Sequence, residues 1–181
     1  MTTSPIITVF GGARVAVDSP LYAECVELGR LLGEAGYAVA TGGYAGTMEA
    51  VLRGAWAVEA PTIGYTCATF DHHPPNVWMQ EERKTARLSA RIQRLADESA
   101  GFVVVDGGLG TLTELALVWN MMLAGELPVK PMVVLGAHWP RVLEVIYAET
   151  QTGSSALALV TRVSTPADVL AVLRGALADN R

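Results

Sequence analysis

Two patterns of apolar positions alternate along this chain. Short β-rich stretches stand at Ile6–Phe10, Tyr37–Ala40, Thr62–Tyr65, Phe102–Val105, Met132–Leu135 and Leu159–Val163, several of them continuous apolar runs. Runs of that length without polar alternation predict strands buried on both faces of a parallel sheet. Between them lie longer stretches with helical spacing. Leu21, Cys25, Leu28, Leu32 and Ala35 recur at steps of four and three and predict one apolar helix face. Ser19 followed by Pro20 supplies the start of that helix and Gly36 its end. Thr165–Pro166 repeats the start signal before a last helix, Ala167 to Ala178. Further helices are predicted over Glu81–Glu98, from Thr111 to Leu123, and over Pro140–Glu149. Strand–helix alternation of this kind predicts a doubly wound, Rossmann-like α/β fold, its mostly parallel sheet flanked by helices on both faces. No linker or repeat interrupts it, so residues 1–181 read as a single nucleotide-binding domain. Cys67–Val77, with Pro74–Pro75, is the longest irregular stretch, and long loops in such folds often cover a site.

Three glycine-rich turns follow predicted strands. The first is Gly11–Gly12–Ala13–Arg14, the second Thr41–Gly42–Gly43–Tyr44–Ala45–Gly46–Thr47, the third Asp106–Gly107–Gly108–Leu109–Gly110–Thr111. Glycine permits positive φ and lets a ligand approach the backbone amides. A helix start just beyond adds free N–H groups and partial positive charge, which suits phosphate. Gly11, Gly12, Ala13, Gly42, Gly43, Gly46, Thr47, Gly107, Gly108, Leu109, Gly110 and Thr111 are therefore the candidate phosphate contacts. The G-x-x-x-x-G-K-[ST] and G-x-G-x-x-G spacings are both missing, which argues against a P-loop NTPase and an ordinary nicotinamide dehydrogenase.

Charge narrows the partners. Thirteen basic against 18 acidic residues leave a net charge of −5, with no basic block, so nucleic acid is not an expected partner. Two cysteines without a C-x-x-C pair give no disulfide framework or zinc site. Asp71–His72–His73 reads as a polar loop rather than a metal site, Cys25 as core, and Cys67 as a free thiol. The four tryptophans read as packing anchors, Trp78 being the one beside the irregular loop. Neither a signal peptide nor an 18-residue apolar run occurs, so a cytoplasmic protein without membrane contact is expected.

The run Val105 to Glu114, VDGGLGTLTE, resembles the PGGxGTxxE signature of the LOG ("lonely guy") proteins. Those are cytokinin riboside 5′-monophosphate phosphoribohydrolases, often labelled lysine decarboxylases. Thr41 to Ala50, TGGYAGTMEA, resembles the family's GGGxxGxM turn, and Val9 to Arg14 its first phosphate-side turn. Trp119, Lys130–Pro131 and the run Val163–Leu170 are similar to further family features, so the resemblance spans nearly the whole chain. It implies a catalytic Arg and Glu. The Glu is Glu114. The Arg lies fifteen residues before the proline of the signature, which selects Arg91 rather than the Arg83–Lys84 pair. Arg83 and Arg87 are left as auxiliary contacts to phosphate or to a second subunit. Asp106 in place of that proline and Ile92 in place of a lysine mark a divergent member.

The resemblance implies hydrolysis of the N-glycosidic bond of a nucleoside 5′-monophosphate, including N6-modified adenine nucleotides, to free base and ribose 5-phosphate. Positive charge develops on the ribose in such a step; Glu114 would stabilise it or activate water, and Arg91 would hold the phosphate or the leaving base. No cofactor or metal is required. A homodimer is implied, and the apolar helix Leu115–Leu123, with Trp119, Met121 and Met122, reads equally as its interface or as core. The rival expectation is a non-catalytic carrier of a nucleotide or of the molybdenum cofactor on the same fold. From the residues alone, Thr111–Leu–Thr–Glu114 also reads as a capping box, with Thr111 as N-cap. Lysine decarboxylation needs a Schiff-base lysine, and the chain holds only Lys84 and Lys130.

Overall fold

Seven parallel strands form one sheet in the computed structural model, which describes residues 4–178. In chain order the elements are β1 (Ile6–Phe10), α1 (Pro20–Glu34), β2 (Ala38–Thr41), α2 (Thr47–Trp56), β3 (Thr62–Gly64), β4 (Glu81–Glu82), α3 (Leu88–Glu98), β5 (Gly101–Val104), α4 (Leu109–Leu123), β6 (Met132–Leu135), α5 (His138–Glu149), α6 (Ser154–Leu157), β7 (Val160–Val163) and α7 (Pro166–Ala178). The sheet order is β4-β3-β2-β1-β5-β6-β7, and every pairing is parallel. This is the expected doubly wound α/β fold.

The continuous apolar runs have a simple cause. Ile7, Val9, Val39, Val103, Val105, Val133 and Leu135 pack with residues of α1, α2 and α7. Their neighbours Phe10, Ala40, Phe102, Val104, Met132 and Val134 pack with residues of α3, α4 and α5. Both faces of β1, β2, β5 and β6 are covered, so alternate positions stay buried, whereas the edge strand β7 leaves Thr161 and Arg162 exposed. Ser19 caps α1 by accepting from the Tyr22 N–H, and Pro20 is its first residue. No helix among the described residues is long and apolar enough to cross a membrane.

Three expectations are corrected. Residues 81–87 are not helix: Glu81–Glu82 pairs with Ile63–Gly64 as an edge strand, and α3 begins only at Leu88. Arg83 ties that edge down by donating to Glu81, to the Tyr65 hydroxyl and to Glu98. Arg83 and Arg87 therefore lie before α3 and not within a helix, Arg87 as the N-cap residue of α3. Helix α4 begins at Leu109 with Gly108 as N-cap, so Thr111 is no cap and the capping box does not form.

Strand order reverses between β1 and β5, which lie side by side at the centre of the sheet. Their carboxyl ends diverge into helices on opposite faces. A crevice opens there, where ligands of open α/β sheets sit.

Candidate functional site

The turns after β1 and β5 cross at this crevice. The Gly12 N–H donates to the Asp106 carbonyl at 3.1 Å. The approach is close enough to require glycine: a Cβ on Gly107 would lie 2.1 Å from Thr111 Oγ1 and 2.9 Å from the Gly12 nitrogen. Above the crossing lies a cleft of about 870 Å³. Gly11, Gly12 and Ala13 line one side, and Gly107, Gly108, Leu109, Gly110 and Thr111 the other. The first amides of α4 have no acceptor within their own helix, so they are free for an anion.

The turn after β2 borders the cleft through Tyr44 and Ala45 and not through its glycines. Gly42, Gly43, Gly46 and Thr47 do not line the cleft. The Thr47 N–H and hydroxyl both donate to the Gly12 carbonyl, at 3.0 and 3.2 Å. Gly46 allows this with φ +71°, and a Cβ there would fall 2.4 Å from the same oxygen. The second turn thus braces the first from below.

Arg91 and Glu114 meet in the cleft, from α3 and α4. Arg91 Nη2 donates to Glu114 Oε1 at 2.9 Å, and both residues are 7% exposed. Arg91 Nη1 passes over Gly42, where a Cβ would lie 3.1 Å away, and the buried Arg91 Nε has no partner. Burial lifts the Glu114 carboxyl from 4.5 to about 7, against the pull of Arg91 in the other direction. A carboxyl poised there can hold or release a proton near neutral pH.

Asp106 also borders the cleft, next to the first residues of α4. One carboxylate oxygen is 2.6 Å from His138 Nδ1, and the other is buried without a partner. The sequence gives no sign of the His138 pairing, because 32 residues separate the two.

The Cys67–Val77 loop reaches the cleft through Phe70, His73 and Pro74, joined by Tyr44, Met48 and Arg14. None of these six was chosen as a binding residue from sequence. The available signal was the loop's length, and one aromatic residue, Phe70, in an otherwise polar stretch. Trp78 packs on Trp56 instead, with Arg53 over its ring, and does not line the cleft. Cys25 lies in the core, its thiol pushed up to about 12 by burial; Cys67 is free and buried. Lys130 Nζ closes the end of α3 by donating to the carbonyls of Ala96 and Asp97. Trp119 Nε1 donates to the Ala156 carbonyl and ties α4 to α6. Among the described residues, no group of three His, Cys, Asp or Glu side chains is placed to hold a metal ion.

A family model, the SLOG cluster4 family, matches residues 4–169. The chain belongs to the SLOG cluster4 family. No curated protein sequence matches this SLOG protein. Solved structures do. The molybdenum cofactor binding protein of the phototrophic bacterium Rippkaea orientalis is similar with a TM-score of 0.79 and 23% identity, covering 98% of this chain and 99% of that one. The molybdenum cofactor carrier protein of Chlamydomonas reinhardtii is similar with a TM-score of 0.75 and 26% identity, covering 97% and 99%. DNA processing protein A of Helicobacter pylori, described for its single-stranded DNA binding, shares the fold at a TM-score of 0.64 and 16% identity, covering 98% and 82%.

Proposed function

We propose that this SLOG protein binds and carries a phosphorylated small molecule of nucleotide size, with the molybdenum cofactor as its cargo. The observation that carries this reading is the cleft: about 870 Å³ at the sheet's switch point, bordered by two crossed glycine turns. A phosphate on the amides of Leu109, Gly110 and Thr111 meets the positive end of α4, and Arg14 and Arg91 add cationic charge on the same cleft. The carrier reading draws support from the Chlamydomonas protein, whose likeness extends over nearly all of both chains. The organic part of that cofactor is a phosphorylated pterin, which the amide edge suits. The test is purification from a host that makes the cofactor, with metal analysis for molybdenum and fluorescence of the released pterin. Bound molybdenum and pterin in equal amount support the reading. Failure to take up the purified cofactor overturns it.

A second reading rests on one specific observation. Glu114, lifted to about 7 beside Arg91 in the same cleft, is matched to general acid–base work on an N-glycosidic bond. On that reading the substrate is a nucleoside 5′-monophosphate and the products are base and ribose 5-phosphate. Free base released from AMP, GMP, CMP or N6-isopentenyl-AMP by the wild type, and not by Glu114→Gln, would replace the carrier with the hydrolase.

Either protein is read as a homodimer. Trp119, Met121 and Met122 are buried within the chain, so the face of α4 left for a partner is Ala116, Leu117 and Leu123 with Asn120 among them. A mass of one chain by light scattering would contradict that.

A further inference from the structure

The two ends of the cleft differ in chemistry. One is the amide edge of the glycine turns. The other is aromatic: Tyr44, Phe70 and His73 all line it. Tyr44 is fixed in place, because its hydroxyl donates to the Cys67 carbonyl at 3.1 Å and accepts from the Cys67 N–H at 3.0 Å. The loop that starts there returns to the same turn. The Asn76 N–H donates to the Gly43 carbonyl at 3.0 Å, and its side-chain amide to the Tyr44 carbonyl at 3.1 Å. Lys84 holds the loop's middle through Asp71 at 2.7 Å. Phe70 and His73 are thus presented from a segment anchored at both ends. Their rings meet Tyr44 edge-on, at 5.8 Å and 82° for Phe70 and 6.4 Å and 69° for His73. The Arg91 guanidinium lies 5.4 Å from the Phe70 ring centre and links the aromatic end to Glu114.

We propose that Tyr44, Phe70 and His73 form a ring-recognition subsite that selects ligands carrying a planar fused heterocycle, a purine or a pterin, beside their phosphate. The phosphate half of this statement rests on the binding function above; the ring half rests on the aromatic wall. Every such heterocycle has a π face, so stacking gives affinity for the class without selecting one member. Phe70 is the residue on which the ring lies, and Tyr44 is a positioning residue that sets the edge of the wall.

Binding of GMP, guanosine and ribose 5-phosphate is measured by calorimetry for wild type, Phe70→Ala, Phe70→Leu and Phe70→Trp, with thermal unfolding of each. Guanine serves as the ring probe because it shares the aminopyrimidinone edge of a pterin. Phe70→Ala is expected to weaken GMP and guanosine by about tenfold or more, the scale of one base stacked on an aromatic side chain. Ribose 5-phosphate should bind unchanged, and Phe70→Trp should retain GMP. If the alanine variant unfolds, Phe70→Leu keeps the apolar bulk without the π face and gives the same readout. Equal loss for GMP and ribose 5-phosphate, or no loss for either, overturns the subsite. Wild type that binds ribose 5-phosphate as tightly as GMP overturns the subsite and leaves the phosphate site standing. Guanosine binding without ribose 5-phosphate binding overturns the phosphate site and leaves the subsite. Binding of none of the three overturns both.

Discussion

The turns after β2 and β5 look alike as sequence and do different things. Each is glycine-rich, each leaves the carboxyl end of a parallel strand, and each runs into a helix. The turn after β5 lies at the switch point and turns its amides to open space. The turn after β2 lies one strand further out, and its helix start is spent on the Gly12 carbonyl. A glycine motif thus specifies the bend, while the strand's position in the sheet decides whether the freed amides meet a ligand or another loop.

The largest effect should come from breaking the brace. Gly46→Val puts a side chain at φ +71° and a Cβ 2.4 Å from the Gly12 oxygen. Positive φ and the clash together should cost at least about 3 kcal/mol in denaturant unfolding. Gly110→Ala is its counterpart in the other turn, where a Cβ meets nothing within 4 Å. That variant should keep its stability or gain up to about 1 kcal/mol from helix propensity. Equal losses for the two would erase the distinction.

A comparable effect links both regions through pH. Arg91 leans on Gly42 of one turn and pairs with Glu114 from the helix after the other. Burial raises the Glu114 carboxyl from 4.5 to about 7, so between those pH values the folded state keeps a proton that the unfolded chain has lost. The stabilisation is complete below pH 4.5 and disappears as pH rises through 7, on the order of 3 kcal/mol. Glu114→Gln should remove that slope from unfolding curves taken between pH 5 and 8. An unchanged slope would assign it to other groups.

A smaller effect concerns the charge at the third turn. Asp106→Asn keeps a group for His138 to bond and removes a negative charge beside the amides. Affinity for a phosphate monoester should rise by less than about tenfold, a shift set by Coulomb attraction in a partly solvated site. Weaker binding would mean that the carboxylate itself contacts the ligand.

How much of this could be read in advance follows the burial of each element. Ile6–Phe10 and Met132–Leu135 were legible to the residue, because both faces of those strands are covered. Glu81–Glu82 was not, because an exposed edge strand of two glutamates has no apolar signal and resembles a helix start. The pairing of Arg91 with Glu114 followed from the family resemblance and its spacing; composition alone offered Arg83 just as readily. Gly42, Gly43, Gly46 and Thr47 were grouped with the ligand turns because local sequence does not reveal sheet order. Phe70 and His73 were hidden because a loop's path over a cleft is set by long-range contacts such as those of Tyr44 and Asn76.

The central claim is that phosphate sits on the first amides of α4, and Leu109→Asp tests it most directly. Leu109 is 79% exposed and is the first residue of that helix. A carboxylate there favours the helix end, so the thermal midpoint should hold or rise. The same charge repels a bound phosphate. GMP binding measured by calorimetry should therefore weaken by about tenfold or more while the fold is intact. GMP bound as tightly by Leu109→Asp as by the wild type would contradict the account.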